Sequence, residues 1–311
     1  EECPALGLSP GWTETAALLA GVVLLARPWI LSKDSHFSRM FQMGTPLAAM
    51  FLLRYYRGGR LRDAMAAALW IALTGLIAWQ QLVMGAFILG GLILWRLVLR
   101  RPAGWRRLLL HTGLIVAASG ALMAPFAAPM FSALYTWEEP SDIVIDSTDS
   151  TKTDLAALIA PPVGHPAHHL WRTNYYDRPR SAPFVGYGAL LLAIVGVVAH
   201  PKRSWYWGLA AFACALLALG AELEFDRRSF PNVVLPYTWL RHSFLFVMIR
   251  EASRWNHTLT LPYSVLAGWG GVALLQMLRH RSARAVSLGL IAALVTAEAL
   301  AVVYPYDGME P

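Results

Sequence analysis

With 57% hydrophobic residues, 14% charged residues and a mean hydropathy of +0.46, a chain of 311 residues has too little polar surface to cover a soluble globule of its size. Its net charge of +7 is spread over short loops instead of gathered in one basic patch, which argues against a nucleic-acid partner and for membrane lipids. Two cysteines, Cys3 near the start and Cys214 inside an apolar stretch, allow no metal–thiolate cluster and argue against a disulfide between them.

Apolar runs between breakers predict an all-α polytopic transmembrane helix bundle, one transmembrane domain over 1–311 with about nine spans. In chain order they cover 13–31, 40–56, 63–79, 81–99, 108–131, 183–200, 204–221, 258–278 and 285–304. Segments of roughly 17 to 22 residues suit helices crossing a ~30 Å hydrocarbon layer better than the alternating strands of a barrel. The stretch from Ala64 to Leu99 is too long for one span of ordinary tilt, so Trp79-Gln80-Gln81 is read as a tight hairpin between two. The adjacent amides could instead bond a ligand hydroxyl.

Every second loop is basic: Arg54, Arg57, Arg60 and Arg62; then Arg96, Arg100, Arg101, Arg106 and Arg107; then Lys202 and Arg203; then Arg279, Arg281 and Arg284. Asp63 is their one acidic residue. The positive-inside rule makes these loops cytoplasmic, with the N-terminus inside and the C-terminus outside a bacterial cytoplasmic membrane. The longer loops, 132–182 and 222–257, carry nearly all the acid and are the expected working face. Between Asp142 and Asp154 the Ser/Thr/Asp/Lys composition predicts turns without a core. Leu155 to Ile159 then reads as a short helix stopped by Pro161-Pro162. The opening Glu-Glu-Cys-Pro lacks an initiating methionine and a basic leader, so a processed or trimmed start, or further sequence ahead of it, is expected.

Phosphate-binding loops, dinucleotide fingerprints, nucleophile elbows and zinc-protease motifs are absent from the sequence. His165, His168 and His169 cluster within five residues, enough imidazoles for a metal, but adjacent His168 and His169 diverge on most backbones. A Pro/aromatic loop packed near the outer membrane surface fits them better, and no metal is expected. Asp34 and His36 can be read as a general base and its partner, or as a polar cap between two spans. Glu298, next to Thr296 in an Ala-rich span, must face protein interior, water or a partner, with an interfacial position the simpler account. Glu14 lies at the edge of a span, and His111, after the basic cluster, reads as interfacial.

The densest signal is Val247-Met-Ile-Arg250-Glu251-Ala-Ser-Arg254-Trp255-Asn256-His257, set just before an apolar run from Leu259 to Met277. On a helix Arg250 and Arg254 share a face, so two guanidinium forks could hold one phosphate or diphosphate, with Glu251 and His257 beside them. The plainer reading is an interfacial helix whose arginines touch lipid phosphates and whose Glu251 pairs with Arg254 at i,i+3.

Three landmarks together resemble bacterial polytopic proteins related to the GT-C type glycosyltransferases. They are Phe37 to Arg54 with its following Gly-Gly-Arg turn, Asp154-Leu-Ala-Ala-Leu-Ile-Ala-Pro-Pro162-Val-Gly-His165-Pro, and Pro236-Tyr237 through Arg250-x-x-Ser-Arg254-Trp255 into Val265-Leu-Ala-Gly-Trp-Gly270. The resemblance covers about Leu18 to Leu278. It implies transfer of a sugar from a polyprenyl-phosphate carrier on the outer face, with the lipid-linked donor as substrate, no separate cofactor, and Arg250 and Arg254 as contacts to the carrier phosphate. The acidic outer loop that such enzymes carry after their first span has no counterpart in this sequence. The alternative is therefore a non-catalytic scaffold or accessory subunit, whose partners are other membrane subunits. A transporter is disfavoured because no matching pair of Gly/Pro-broken helices is visible.

Overall fold

The computed structural model describes residues 10–26, 43–100, 105–136, 152–161, 165–171, 183–243, 246, 249 and 251–303. It is 78% helix. The helices are α1 Pro10–Leu25, α2 Gly44–Gly58, α3 Leu61–Ile77, α4 Trp79–Arg100, α5 Trp105–Thr136, α6 Tyr187–Ala199, α7 Pro201–Ala218, the single turn α8 Tyr237–Leu240, α9 Trp255–Gln276 and α10 Arg281–Val303. Each of the nine apolar segments read from the sequence holds one of the longer helices. Among the described residues three stretches, Leu108–Pro129, Ala252–Gln276 and Arg281–Leu300, are long and apolar enough to cross a membrane. Gly11–Leu25, Trp79–Trp95 and Tyr187–Ala199 are apolar but shorter.

The chain divides into two compact units, one of residues 36–147 and 242–250, the other of 1–35, 148–241 and 251–311. In the first, α2 stops at Gly59, whose left-handed backbone (φ +63°) lets its N–H bond back to Tyr55 O without a Cβ penalty. The chain then reverses into α3, and Leu52, Ala64, Ala67, Ala68 and Ile115 form the core between α2, α3 and α5. Polar groups inside it are matched in pairs. Tyr55 and His111 Nδ1 lie 2.7 Å apart, Tyr56 bonds Thr112, and Ser119 donates to Ile115 O and Ala68 O. His111 is thus tied to a neighbouring helix. The acid in the basic loop is also explained: Asp63 is 4% exposed, and its carboxylate lies 3.7 Å from Arg54 Nε. The break expected at Trp79-Gln80-Gln81 lies instead at Ala78, a single non-helical residue between α3 and α4, and those three residues begin α4.

The second unit is organised around α9. In the most apolar part of Ala252–Gln276, 72% of the residues are buried inside the protein, against 11% in that of Arg281–Leu300 in the same unit. Two of its buried hydroxyls turn inward on the helix itself, Thr260 Oγ1 to Asn256 O and Ser264 Oγ to Thr260 O, so neither leaves a donor without an acceptor. Close packing is set by glycine. A Cβ on Gly268 would sit 2.4 Å from Ala16 O of α1, and one on Gly271 2.3 Å from Leu19 Cδ1. On the α6 side, a Cβ on Gly270 would sit 1.8 Å from Leu192 O, and one on Gly196 of α6 2.1 Å from Leu266 O. Small residues here let backbones meet directly, the usual basis of helix association where lipid removes the hydrophobic drive.

The sequence reading missed one element. Within the loop 222–257, strands β1 Glu222–Phe225 and β2 Arg228–Val234 form an antiparallel hairpin with an irregular register between Glu222 and Leu223. Its two turn residues, Asp226 (φ 51°) and Arg227 (φ 66°), both adopt the left-handed backbone of a tight hairpin turn without the usual glycine.

Candidate functional site

The residues that enter α9 come together with the segment 152–161 and with the hairpin. Gly220 is the pivot: its φ is +84°, and a Cβ there would fall 2.8 Å from Lys152 Cβ and 3.6 Å from Ala252 Cβ. Glycine therefore lets residue 152 and the turn Ala252–Arg254 close on the end of α7. Thr153 N donates to Ala218 O (2.9 Å) and Leu155 N to Glu224 O (2.9 Å), so the segment is stitched to α7 and to β1. Lys152 Nζ lies 3.4 Å from Glu224 Oε2, and buried Asn256 Nδ2 donates to Thr153 Oγ1 at 2.8 Å.

Asp154 is 2% exposed and saturated with backbone donors. Oδ1 accepts from Ala156 N (2.8 Å) and Asp226 N (3.0 Å), and Oδ2 from Arg227 N (2.7 Å). One carboxylate thereby starts the 3-10 turn Ala156–Leu158 and fixes the tip of the hairpin. The short helix expected at Leu155 to Ile159 is this turn. A carboxylate holding three backbone N–H groups serves here as a structural anion.

Arg254 ends the 3-10 turn Ala252–Arg254. Its Nη2 donates to Glu251 Oε1 at 2.7 Å, the i,i+3 pair anticipated from the sequence, with side chains 17% and 23% exposed. Its Nε is buried and has no hydrogen-bond partner among the described residues. His257 is buried at 5% exposure in the first turn of α9, facing the protein interior. Arg250, the other arginine of the expected clamp, lies outside the described residues, as do Asp34 and His36.

The histidine loop separates its members. His165 lies edge-on to Phe184 and Tyr187, with Nε2 3.5 Å from Glu298 Oε1. Burial pushes its pKa below the ordinary imidazole value, and this outweighs the opposing pull of Glu298. His168 Nδ1 lies 3.2 Å from Pro161 O, and His169 is exposed. Among the described residues no three His, Cys, Asp or Glu side chains gather in a way that could hold a metal. Glu298 faces the protein interior: its Oε1 accepts from Tyr187 N (2.5 Å) and its Oε2 from Gly188 N (2.9 Å) at the start of α6.

Sequence reasoning singled out Arg254 and Glu251 and anticipated their pairing. It missed Lys152, Thr153, Glu224 and Asn256, because they join the site through a fold that brings residues about a hundred apart in the chain into contact. The one local signal available was Asp154 two residues before an amide, the pattern of an Asx turn. No protein-family model matches the chain, and neither does any curated protein or solved structure.

Proposed function

We propose that the chain is a GT-C-like membrane glycosyltransferase, or the remnant of one, that handles a polyprenyl-phosphate-linked sugar on the outer face of a bacterial cytoplasmic membrane. The reading takes the nine apolar helices as spans, with the N-terminus inside and the C-terminus outside. It places the mouth of α9, the segment 152–161 and the hairpin on the outer side.

The observation that carries it is the half-satisfied guanidinium of Arg254. A buried, unpaired donor costs on the order of 1–3 kcal/mol, and a charged one more, so its retention calls for a function. An oxyanion with several lone pairs, such as a phosphate, can accept from both edges of the fork, whereas Glu251 engages only Nη2. In this reading Glu251 stands in for the carrier phosphate and yields to it on binding. Lys152, ion-paired to Glu224 and packed with Ala252 against Gly220, is taken in this reading as a second cation.

The test is binding of a polyprenyl phosphate to the purified chain in nanodiscs. Arg254→Ala should weaken binding at least about tenfold, and Arg254→Lys should recover only part, since lysine lacks the fork. Glu251→Gln should leave binding unchanged or tighten it. Equal binding by wild type and Arg254→Ala overturns the reading; the same assay on Arg250→Ala tests the second arginine of the pair.

The second reading, a non-catalytic scaffold or accessory subunit of a larger complex, draws on the same pair. Glu251 already neutralises Arg254 within the chain, and Asp154 is spent on backbone amides. It gains ground if no carrier lipid binds and the chain co-purifies with stoichiometric membrane partners.

A further inference from the structure

A cavity of about 280 Å³ opens where the first turns of α1 and α10 meet the last turn of α9. Its walls combine two guanidinium groups, Arg281 and Arg284, with the indole of Trp12, the hydroxyl-bearing Thr15 and the aliphatic Leu275 and Leu288. Arg284 is pre-set: its Nε donates to Leu278 O at 2.9 Å, and its guanidinium lies over the Trp12 ring, 5.1 Å from the centroid. Thr15 Oγ1 donates to Gly11 O within α1. Arg281 is exposed at the rim, and neither arginine forms an ion pair with a carboxylate among the described residues.

From this geometry we propose that the cavity binds the phosphate of an anionic phospholipid, with the start of an acyl chain lying against Leu275 and Leu288. The pocket sits at the ends of apolar helices, where headgroups meet hydrocarbon, and an indole there occupies the depth that aromatic side chains favour. Two cations without acidic partners among the described residues select a phosphodiester of net negative charge over a zwitterionic one. The aliphatic walls distinguish a lipid from a free phosphate ion, which has no use for them. The proposal does not depend on sugar transfer, because it concerns the opposite end of α9 from Arg254.

Native mass spectrometry of the purified full chain in detergent, titrated with phosphatidylglycerol, phosphatidylcholine or inorganic phosphate, tests it. Phosphatidylglycerol should bind at least about tenfold more tightly than phosphatidylcholine, and Arg281→Gln should remove most of that preference. Arg281 is exposed and makes none of the contacts that seat Arg284, so this variant keeps the fold; Arg284→Gln serves as the second variant, with circular dichroism as the control. Equal affinity for the two lipids, an unchanged preference in both variants, or displacement of the lipid by inorganic phosphate at comparable concentration overturns the proposal.

Discussion

Glu298, near the end of α10, accepts hydrogen bonds from the backbone amides of both Tyr187 and Gly188, so the last helix closes the first turn of α6 from 110 residues away. A carboxylate there meets otherwise unsatisfied amides and the positive end of the helix dipole. With its side chain 9% exposed, water cannot replace it. Glu298→Ala should therefore destabilise the protein by about 1–3 kcal/mol, and Glu298→Gln, which keeps one acceptor, by less. Thermal unfolding in a fixed detergent measures both; an alanine variant as stable as wild type would mean that the contact contributes nothing.

His165 touches the same carboxylate, and its protonation sets a pH dependence. Burial lowers its pKa below the ordinary 6.5, while Glu298 partly opposes and His168 adds to the shift. The neutral imidazole is the folded form, and the unfolded chain binds the proton more readily. The contribution from His165 is thus full above pH 6.5 and is lost as pH falls through its lower folded value. The unfolding midpoint should drop on acidification below pH 6.5, and His165→Asn should make that slope shallower. An unaltered slope in the variant would assign the acid sensitivity elsewhere.

These two contacts show which parts of the molecule a sequence can reveal. The nine longer helices were legible because each is a local property, a run of apolar residues between breakers, and the limit on span length called for a break within a residue or two of Ala78. The Glu251–Arg254 pair was legible for the same reason, since i,i+3 spacing is local. Glu298 could be flagged as costly but not given a partner, because its partner is a helix start on a distant segment. The hairpin was hidden by its short strands and by a turn of Asp226-Arg227, whose left-handed backbone usually calls for Asn-Gly. That turn is held by Asp154, 72 residues earlier, and no pattern within the loop announces it.

Asp154 therefore has a testable structural role. Asp154→Ala leaves three backbone N–H groups seeking acceptors and releases two residues from a left-handed conformation that costs roughly 1–2 kcal/mol each outside glycine. The variant should lose hairpin protection in hydrogen exchange at 222–234 while the core of α9 stays protected. Arg227→Gly placed in the Asp154→Ala background should restore part of that protection, because glycine takes the turn conformation without strain. Absence of rescue would show that Asp154 acts through something other than the turn.

The crossing of α6 and α9 supplies the sharpest contrast between chemically identical substitutions. At Gly270 a methyl group would fall 1.8 Å from Leu192 O, a backbone atom on a packed helix that no rotamer change can move aside. Gly270→Ala must separate α6 from α9, losing the backbone approach along Gly196 and Leu266 together. The cost should be at least about 2 kcal/mol, in the upper range for overpacking. Gly208 of α7 has nothing within 4 Å of the same position, so Gly208→Ala should be neutral or stabilise by up to about 1 kcal/mol through helix propensity. Unfolding midpoints of the two variants in one detergent decide the matter: opposite signs follow if Gly270 sets the inter-helix distance. A Gly270→Ala protein as stable as wild type would require α6 and α9 to be held apart by side chains instead.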